Sequence, residues 1–319
     1  MPSSIELDCE SVRSSSSSSS DSSLDEDEVN VRVTPDWSRY RRLIERKGYR
    51  LDTVRDVKDH YQRHGIGIDK REIHDYLSGY RRACAGQDDS ALCKDLGLPE
   101  NLFRATCCKD GTKLMVKAVH LLSRELQILR YVSSPNLQRD PMNHSIPIID
   151  FIDVPFDDIC FIVMEEWSSH LLHEIPTNLR QFLSAIHQCI EHVVFMHRHN
   201  IVHLDISLHN FLTDYHGHCA CIDYELSRRY DDKSTPRIHL ARGTEIPPEL
   251  ERGQPSNPYM VDVWALAVLI LKAYKIVGLH IPELIHLARP MLHDNPDKRP
   301  PAEAVLREFK RLVFLMGEE

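Results

Sequence analysis

The chain has 319 residues, 42% of them hydrophobic, which is enough apolar material for one large two-lobed domain or roughly two smaller ones. Its formal charge of −9 is concentrated at one end: residues 1–30 carry eight acids against Arg13, a net −7, leaving −2 for the remainder. That balance excludes a body built to hold nucleic acid or an anionic membrane, either of which needs an excess of basic surface.

The first 30 residues run through SVRSSSSSSSDSSLDEDE, whose apolar content is too small to offset the entropy of ordering it, and are predicted to form a disordered tail. Ser22 and Ser23 each have an acid three residues on, Asp25 and Glu26, the pattern that acidophilic kinases modify. The tail lacks the charged, apolar, small-residue order of a signal peptide, and the nine cysteines are an odd number without a CxxC pair. Both features point to reduced thiols in a soluble intracellular protein, cytoplasmic or nuclear.

Residues 31–98 hold WSRYRRLI, LDTVRDVKDHY and REIHDYLSGYRRAC, which repeat apolar residues at spacings of three and four and predict a helical leader packed on a small lobe. The period then falls to two. LFRATCC, the turn KDGT and KLMVKAVH read as a hairpin, with DG as its turn signal. A helix comes next at SRELQILRYV, with Glu125, Ile128, Leu129 and Val132 on its inward stripe. The apolar runs SIPIIDFI and ICFIVMEEW close a strand-rich lobe at about residue 165. Helices dominate from LRQFLSAIHQCIEHVVFMH onward, and WALAVLIL (264–271), too short to span a bilayer, reads as the middle of a buried helix. In HGHCAC (216–221) the histidines and cysteines are packed too tightly for a tetrahedral zinc site, so loop and strand is the reading taken.

IVHLDISLHNFL (201–212) places Asp205 and Asn210 five residues apart. If FLT and CACI pair across DYHGH, symmetry about the turn sets Asn210 opposite Asp223, and Asp205 feeds the same end. Two carboxylates and an amide oxygen there suit Mg2+. Lys117 lies inside the apolar strand LMVKAV, where a buried ammonium needs an anionic partner, and Glu125 is placed to supply it. A paired lysine beside a magnesium site is what a nucleoside triphosphate requires. Taken singly, Asp205 and Asp223 could be solvated loop acids and Lys117 an edge-strand residue. GTEIPPEL (243–250), VDVWALAVLIL (261–271) and NPDKRP (295–300) then come in order.

With these landmarks the chain resembles a eukaryotic-type protein kinase over roughly residues 100–315. It also resembles a kinase-like family abundant in mushroom-forming (basidiomycete) fungi, in which PMNHSIPIID, VMEEWSS and HLDIS recur. The resemblance implies an α+β, bilobal fold: a small β-containing N-lobe (about 99–165) carrying the leader, and a larger helical C-lobe (about 166–315). It implies ATP and Mg2+ as cofactors and a protein substrate, with transfer to serine or threonine. Residue by residue, Lys117 and Glu125 match the strand lysine and its helix partner, Asp205 the catalytic acid, and Asn210 and Asp223 the magnesium ligands. Met164 matches the gatekeeper, the backbone of Glu165 and Trp167 the adenine hinge, and Leu212 the residue beneath the base. Thr244 matches the threonine that braces the acid, Glu249 and Arg299 a structural ion pair, and Asp262 the anchor of the catalytic loop.

The departures are equally specific. No glycine-rich turn precedes Lys117; Leu204 replaces an arginine that reads activation-loop phosphate; Ser207 replaces a lysine, with His209 the nearest substitute; and DYE (Tyr224, Glu225) replaces DFG. In the loop from 225 to 243, Ser227, Ser234 and Thr235 are candidate phosphorylation sites near Arg228, Arg229, Arg237 and Arg242. Two other readings stay open: a pseudokinase scaffold, and a small-molecule kinase of the aminoglycoside phosphotransferase type, to which HLDISLHN and CIDYE are about as close.

Overall fold

Alternating apolar residues in the period-two segments sort onto two faces of one antiparallel sheet, in the order β1 (Tyr49–Leu51), β2 (Leu102–Cys107), β3 (Lys113–His120), β5 (Ile159–Glu165), β4 (Ile148–Val154). The computed structural model describes residues 30–64, 88–167, 171, 178–214, 216–230, 235–239 and 242–317. Ser22, Ser23, Ser234, nearly all of the serine and acid tail and the segment REIHDYLSGYRRAC lie outside the described residues.

On one face, Leu114, Val116 and Ala118 of β3 join Phe103, Phe161 and Val163 in a core closed by helix α1 (Trp37–Arg46). Asp36 caps α1 by accepting from Ser38 N–H (3.1 Å), and Trp37 lies 5.2 Å from Phe103 and 5.6 Å from Phe161, ring centre to ring centre. The indole N–H donates to Glu100 O (3.0 Å). On the other face, Lys117 pairs across the sheet with Ile162 and is flanked by Met115 and Val119, towards helix α3 (Arg124–Val132) and a cleft. A central strand covered on both faces is apolar throughout, which makes its lysine conspicuous.

The leader is not helical throughout. After α1, Gly48 turns at φ 92 and β1 adds an edge strand to the sheet, pairing Tyr49 with Cys107 and Leu51 with Ala105. Helix α2 (Val54–His64) comes next. Three residues are too few to show a period of two, so the strand is hidden between two strongly periodic helices.

Beyond the sheet, α4 (Leu179–Arg198), α6 (Pro258–Val277), α7 (Pro282–Met291) and α8 (Ala302–Met316) pack on a second, larger core, while the short helix α5 (Pro248–Glu251) puts Leu250 in a separate small cluster with Ile238 and Val261. WALAVLIL occupies the middle of α6, with Ala265, Leu266, Ala267, Leu269 and Ile270 buried. Small sheets formed by β6 (Ile201–Val202) with β9 (Arg228–Arg229), and by β7 (Phe211–Thr213) with β8 (Cys219–Cys221), lie between α4 and α5 in the chain. The fold is α+β and bilobal. No helix among the described residues is long and apolar enough to cross a membrane.

Candidate active site

Ser123 starts α3 by accepting from Leu126 N–H (3.3 Å), which puts Glu125 in the first turn on the buried face. Its Oε1 lies 2.7 Å from Lys117 Nζ. The same ammonium is 3.1 Å from Asp223 Oδ1 and 3.4 Å from Glu225 Oε1. Burial opposes the ammonium, but the three carboxylates more than offset it and raise its pKa. Burial raises the Glu125 carboxyl against the pull of Lys117. Burial works the same way on Asp223, yet Lys117 wins there and holds it below the ordinary aspartate value. Carboxylate oxygens of Glu125, Asp223 and Glu225 lie within 4.8 Å of one another, a group with the hard oxygen donors that suit a divalent cation. Glu225 is the member that the sequence motifs do not single out, because its carboxylate shows there only as a departure from glycine. Its backbone keeps an ordinary φ, and the left-handed residue is Asp223 (φ 63).

Asp205 is held from two sides. Asn210 Nδ2 donates to its Oδ2 (2.9 Å) and its carbonyl (2.8 Å), and Thr244 N–H donates to its Oδ1 (2.6 Å). Thr244 thus braces the acid through its backbone amide, which the preceding Gly243 (φ 108) turns toward the carboxylate. Asp262 of α6 accepts from the N–H of His203 (2.8 Å) and Leu204 (2.7 Å), and lies 3.1 Å from His197 Nε2. Ser207 is fully buried, whereas His209 is exposed at the rim of the cleft.

The hairpin register differs from the symmetric count. Phe211 pairs with Cys221 and Thr213 with Cys219, so Asn210 meets Ile222, whose N–H donates to its carbonyl (2.9 Å). Asp223 is one residue beyond the pair, and its left-handed φ aims it at Lys117 instead. Cys219 and Cys221 are buried free thiols and His218 pairs with Asp214 (2.6 Å), so HGHCAC is loop and strand.

The cluster closes one end of a cavity of about 710 Å³. Met115, Leu129, Met164, Leu212 and Ile222 give it an apolar wall, and Glu165 and Trp167 line its edge. Glu165 N–H donates to Pro147 O (3.2 Å) and its carboxylate accepts from the Trp167 indole (3.0 Å). A cavity of this size, apolar with a few charged groups at one end, has the character of a small-molecule site.

Behind the site, Tyr224 is fully buried and rests 5.1 Å from the His203 ring. Its hydroxyl donates to Ser145 Oγ (3.0 Å) and meets His192 Nε2 (3.1 Å). Glu249 and Arg299 form a two-pronged buried pair at 2.7 and 2.6 Å, with Ser256 Oγ donating to Glu249 and the guanidinium stacked 4.9 Å over Trp264. Leu204 (φ 65) packs against Ile238, Leu250 and Val261.

Residues 109–279 match the protein kinase domain family, over half of the chain. Among curated proteins the chain is 23% identical over 220 residues to NUAK family SNF1-like kinase 2 of Homo sapiens, covering 67% of this chain and 32% of that protein. It is 27% identical over 174 residues to NUAK family SNF1-like kinase 1 of Mus musculus (51% and 24%), and 25% identical over 190 residues to a probable serine/threonine-protein kinase KIN1 homolog of Enterocytozoon bieneusi (56% and 31%). The chain spans about a third or less of the length of these relatives. The paired lysine, the braced aspartate and the two-lobed frame that carries them therefore sit in a chain that belongs to the protein kinase domain family.

Proposed function

We propose that the chain is an ATP- and Mg2+-dependent phosphotransferase acting on serine or threonine hydroxyls of protein substrates inside the cell. The observation that carries this reading is the state of Asp205: both oxygens are fixed by N–H donors, yet an ionised carboxylate has lone pairs left on each for a hydroxyl proton. The donor set fits the metal, since Asp223 is held ionised and Asn210, whose amide N–H groups are spent on Asp205, has its carbonyl oxygen left to offer. Asp223 and Asn210 would hold Mg2+, which when bound neutralises charge on the outer phosphates. Lys117, kept charged by Glu125, binds the inner phosphates, and the apolar wall from Met115 to Ile222 receives the base, with Glu165 and Trp167 at its edge. Asp205 orients the substrate hydroxyl and takes its proton as the phosphoryl group arrives.

PMNHSIPIID, VMEEWSS and HLDIS, which resemble phrases of kinase-like proteins of mushroom-forming fungi, favour a fungal origin. The landmarks GTEIPPEL, VDVWALAVLIL and NPDKRP favour a protein substrate over a small-molecule acceptor. Titration calorimetry of ATP with and without Mg2+, then phosphate transfer to a generic protein substrate, tests the reading. Asp205→Asn should abolish transfer and spare ATP affinity, whereas Asp223→Ala should weaken both. Absence of ATP binding by wild type would leave a folded partner-binding scaffold as the function.

A further inference from the structure

The roof of the cleft, Leu98 to Arg104, brings no glycine near the lysine, and Glu225 adds a third carboxylate where the family has a glycine. Each departure alone opposes nucleotide binding: the first removes backbone amides from the phosphates, and the second adds repulsion. One leader residue meets both. Arg32 Nε donates to Glu225 Oε1 (2.9 Å) and Oε2 (3.1 Å), and its Nη2 lies 3.9 Å from Asp223 Oδ2, beyond hydrogen-bond reach. The backbone around it is fixed from both sides. Asn30 Oδ1 accepts from Arg124 N–H (2.9 Å) at the start of α3, and Val33 packs on the core beneath α1. The side chain remains 54% exposed and lines the same cavity as Lys117, Met164 and Leu212.

Glu125, Asp223 and Glu225 outweigh Lys117 by two charges, and Arg32 halves that excess. A triphosphate entering with one Mg2+ adds roughly two further negative charges, so it calls for a second cation beside Lys117 at this end of the cleft. We infer that Arg32 is a nucleotide-binding residue: its guanidinium, positioned by Glu225, makes the phosphate contact that a glycine-rich turn makes in other kinases. An arginine fork suits a phosphate, and anchoring its Nε edge leaves the Nη edge for the ligand. This rests on the nucleotide reading above.

Calorimetry with Mg2+–ATP and with adenosine, on wild type, Arg32→Ala, Arg32→Lys and Arg32→Ala/Glu225→Gly, tests it. Arg32→Ala should weaken Mg2+–ATP at least tenfold while adenosine binds as before and thermal stability stays within a few degrees. Arg32→Lys should fall between, and the double variant should regain part of the loss because the unneutralised carboxylate is gone. Unchanged Mg2+–ATP affinity in Arg32→Ala, or an equal loss for adenosine, would overturn the assignment while leaving the phosphotransferase reading intact. Tighter Mg2+–ATP binding in that variant would overturn it too, and would show that Arg32 occupies the cation's place. A wild type that binds no ATP would sink both readings together.

Discussion

Gly243 shows how little room the loop that carries Asp205 leaves. Its φ is 108, and a Cβ there would stand 2.5 Å from Leu204 O and 3.3 Å from Asp205 Oδ1. The backbone carbonyl is restrained by its own peptide, whose other end, the Asp205 N–H, donates to His203 Nδ1 (3.3 Å). Gly243→Ala is expected to cost about 1–3 kcal/mol, the usual scale of a strained backbone position, and to slow phosphate transfer while ATP affinity stays near wild type. Urea denaturation and single-turnover transfer check the two halves. His192 makes a second prediction. Its Nδ1 accepts from His144 N–H (3.2 Å), so the neutral ring carries its proton on Nε2 and donates to Tyr224. Burial holds its pKa well below 6.5. The unfolded chain therefore takes up a proton that the folded one refuses, and stability present above about pH 6.5 is lost as pH falls, by up to about 1.4 kcal/mol per unit. Denaturation midpoints at pH 7.5 and 5.5 should show this, and His192→Phe should flatten that part of the dependence. At this scale the sequence reveals charges that are out of place in their segments. Lys117 stands out in an apolar strand, and Glu125 on an inward stripe. Gly243 and Arg32 are hidden because their roles depend on which distant atoms the chain brings near them.

Elements were legible in proportion to their length. The β2–β3 hairpin, α3, α4 and α6 repeat their periods often enough to be read, whereas β1 has three residues and no visible period. The β7–β8 register shows a related limit. Symmetry about the turn places Asn210 opposite Asp223, but the strands settle one residue differently, and the left-handed φ of Asp223 corrects its aim after the pairing ends. Backbone hand is not encoded in a count of residues. The leader helix carries an energetic prediction. Trp37→Ala removes an indole buried against Phe103 and Phe161 and should destabilise by about 3–5 kcal/mol in chemical denaturation. A smaller loss than about 1 kcal/mol would mean that α1 is only loosely applied to the sheet. The Glu249–Arg299 pair ties α5 to the segment before α8. Removing either partner strands a buried charge and should cost about 3–5 kcal/mol, with strong coupling in a double-mutant cycle. Additive effects would contradict it.

At the scale of the whole molecule, the segment between Asp223 and α5 carries the prediction about control. Ser227 is fully buried and donates to His203 O (3.1 Å), so it is no target for modification in the folded protein. Thr235 is exposed, and Arg237 lies 3.9 Å from Asp297. Replacing Ser234 and Thr235 by alanine should leave phosphate transfer within tenfold of wild type, because Leu204 cannot bond a phosphate on that segment. A larger drop at unchanged stability would show that another cation takes the arginine's part.

Leu204 joins the loop that carries Asp205 to Ile238, Leu250 and Val261 through apolar contact. A junction made of oil answers to different variables from one made of charge: it is indifferent to phosphatases, little affected by salt, and weakest in the cold. For the proposed phosphotransferase this predicts an output that follows temperature more closely than it follows the phosphorylation state of that segment.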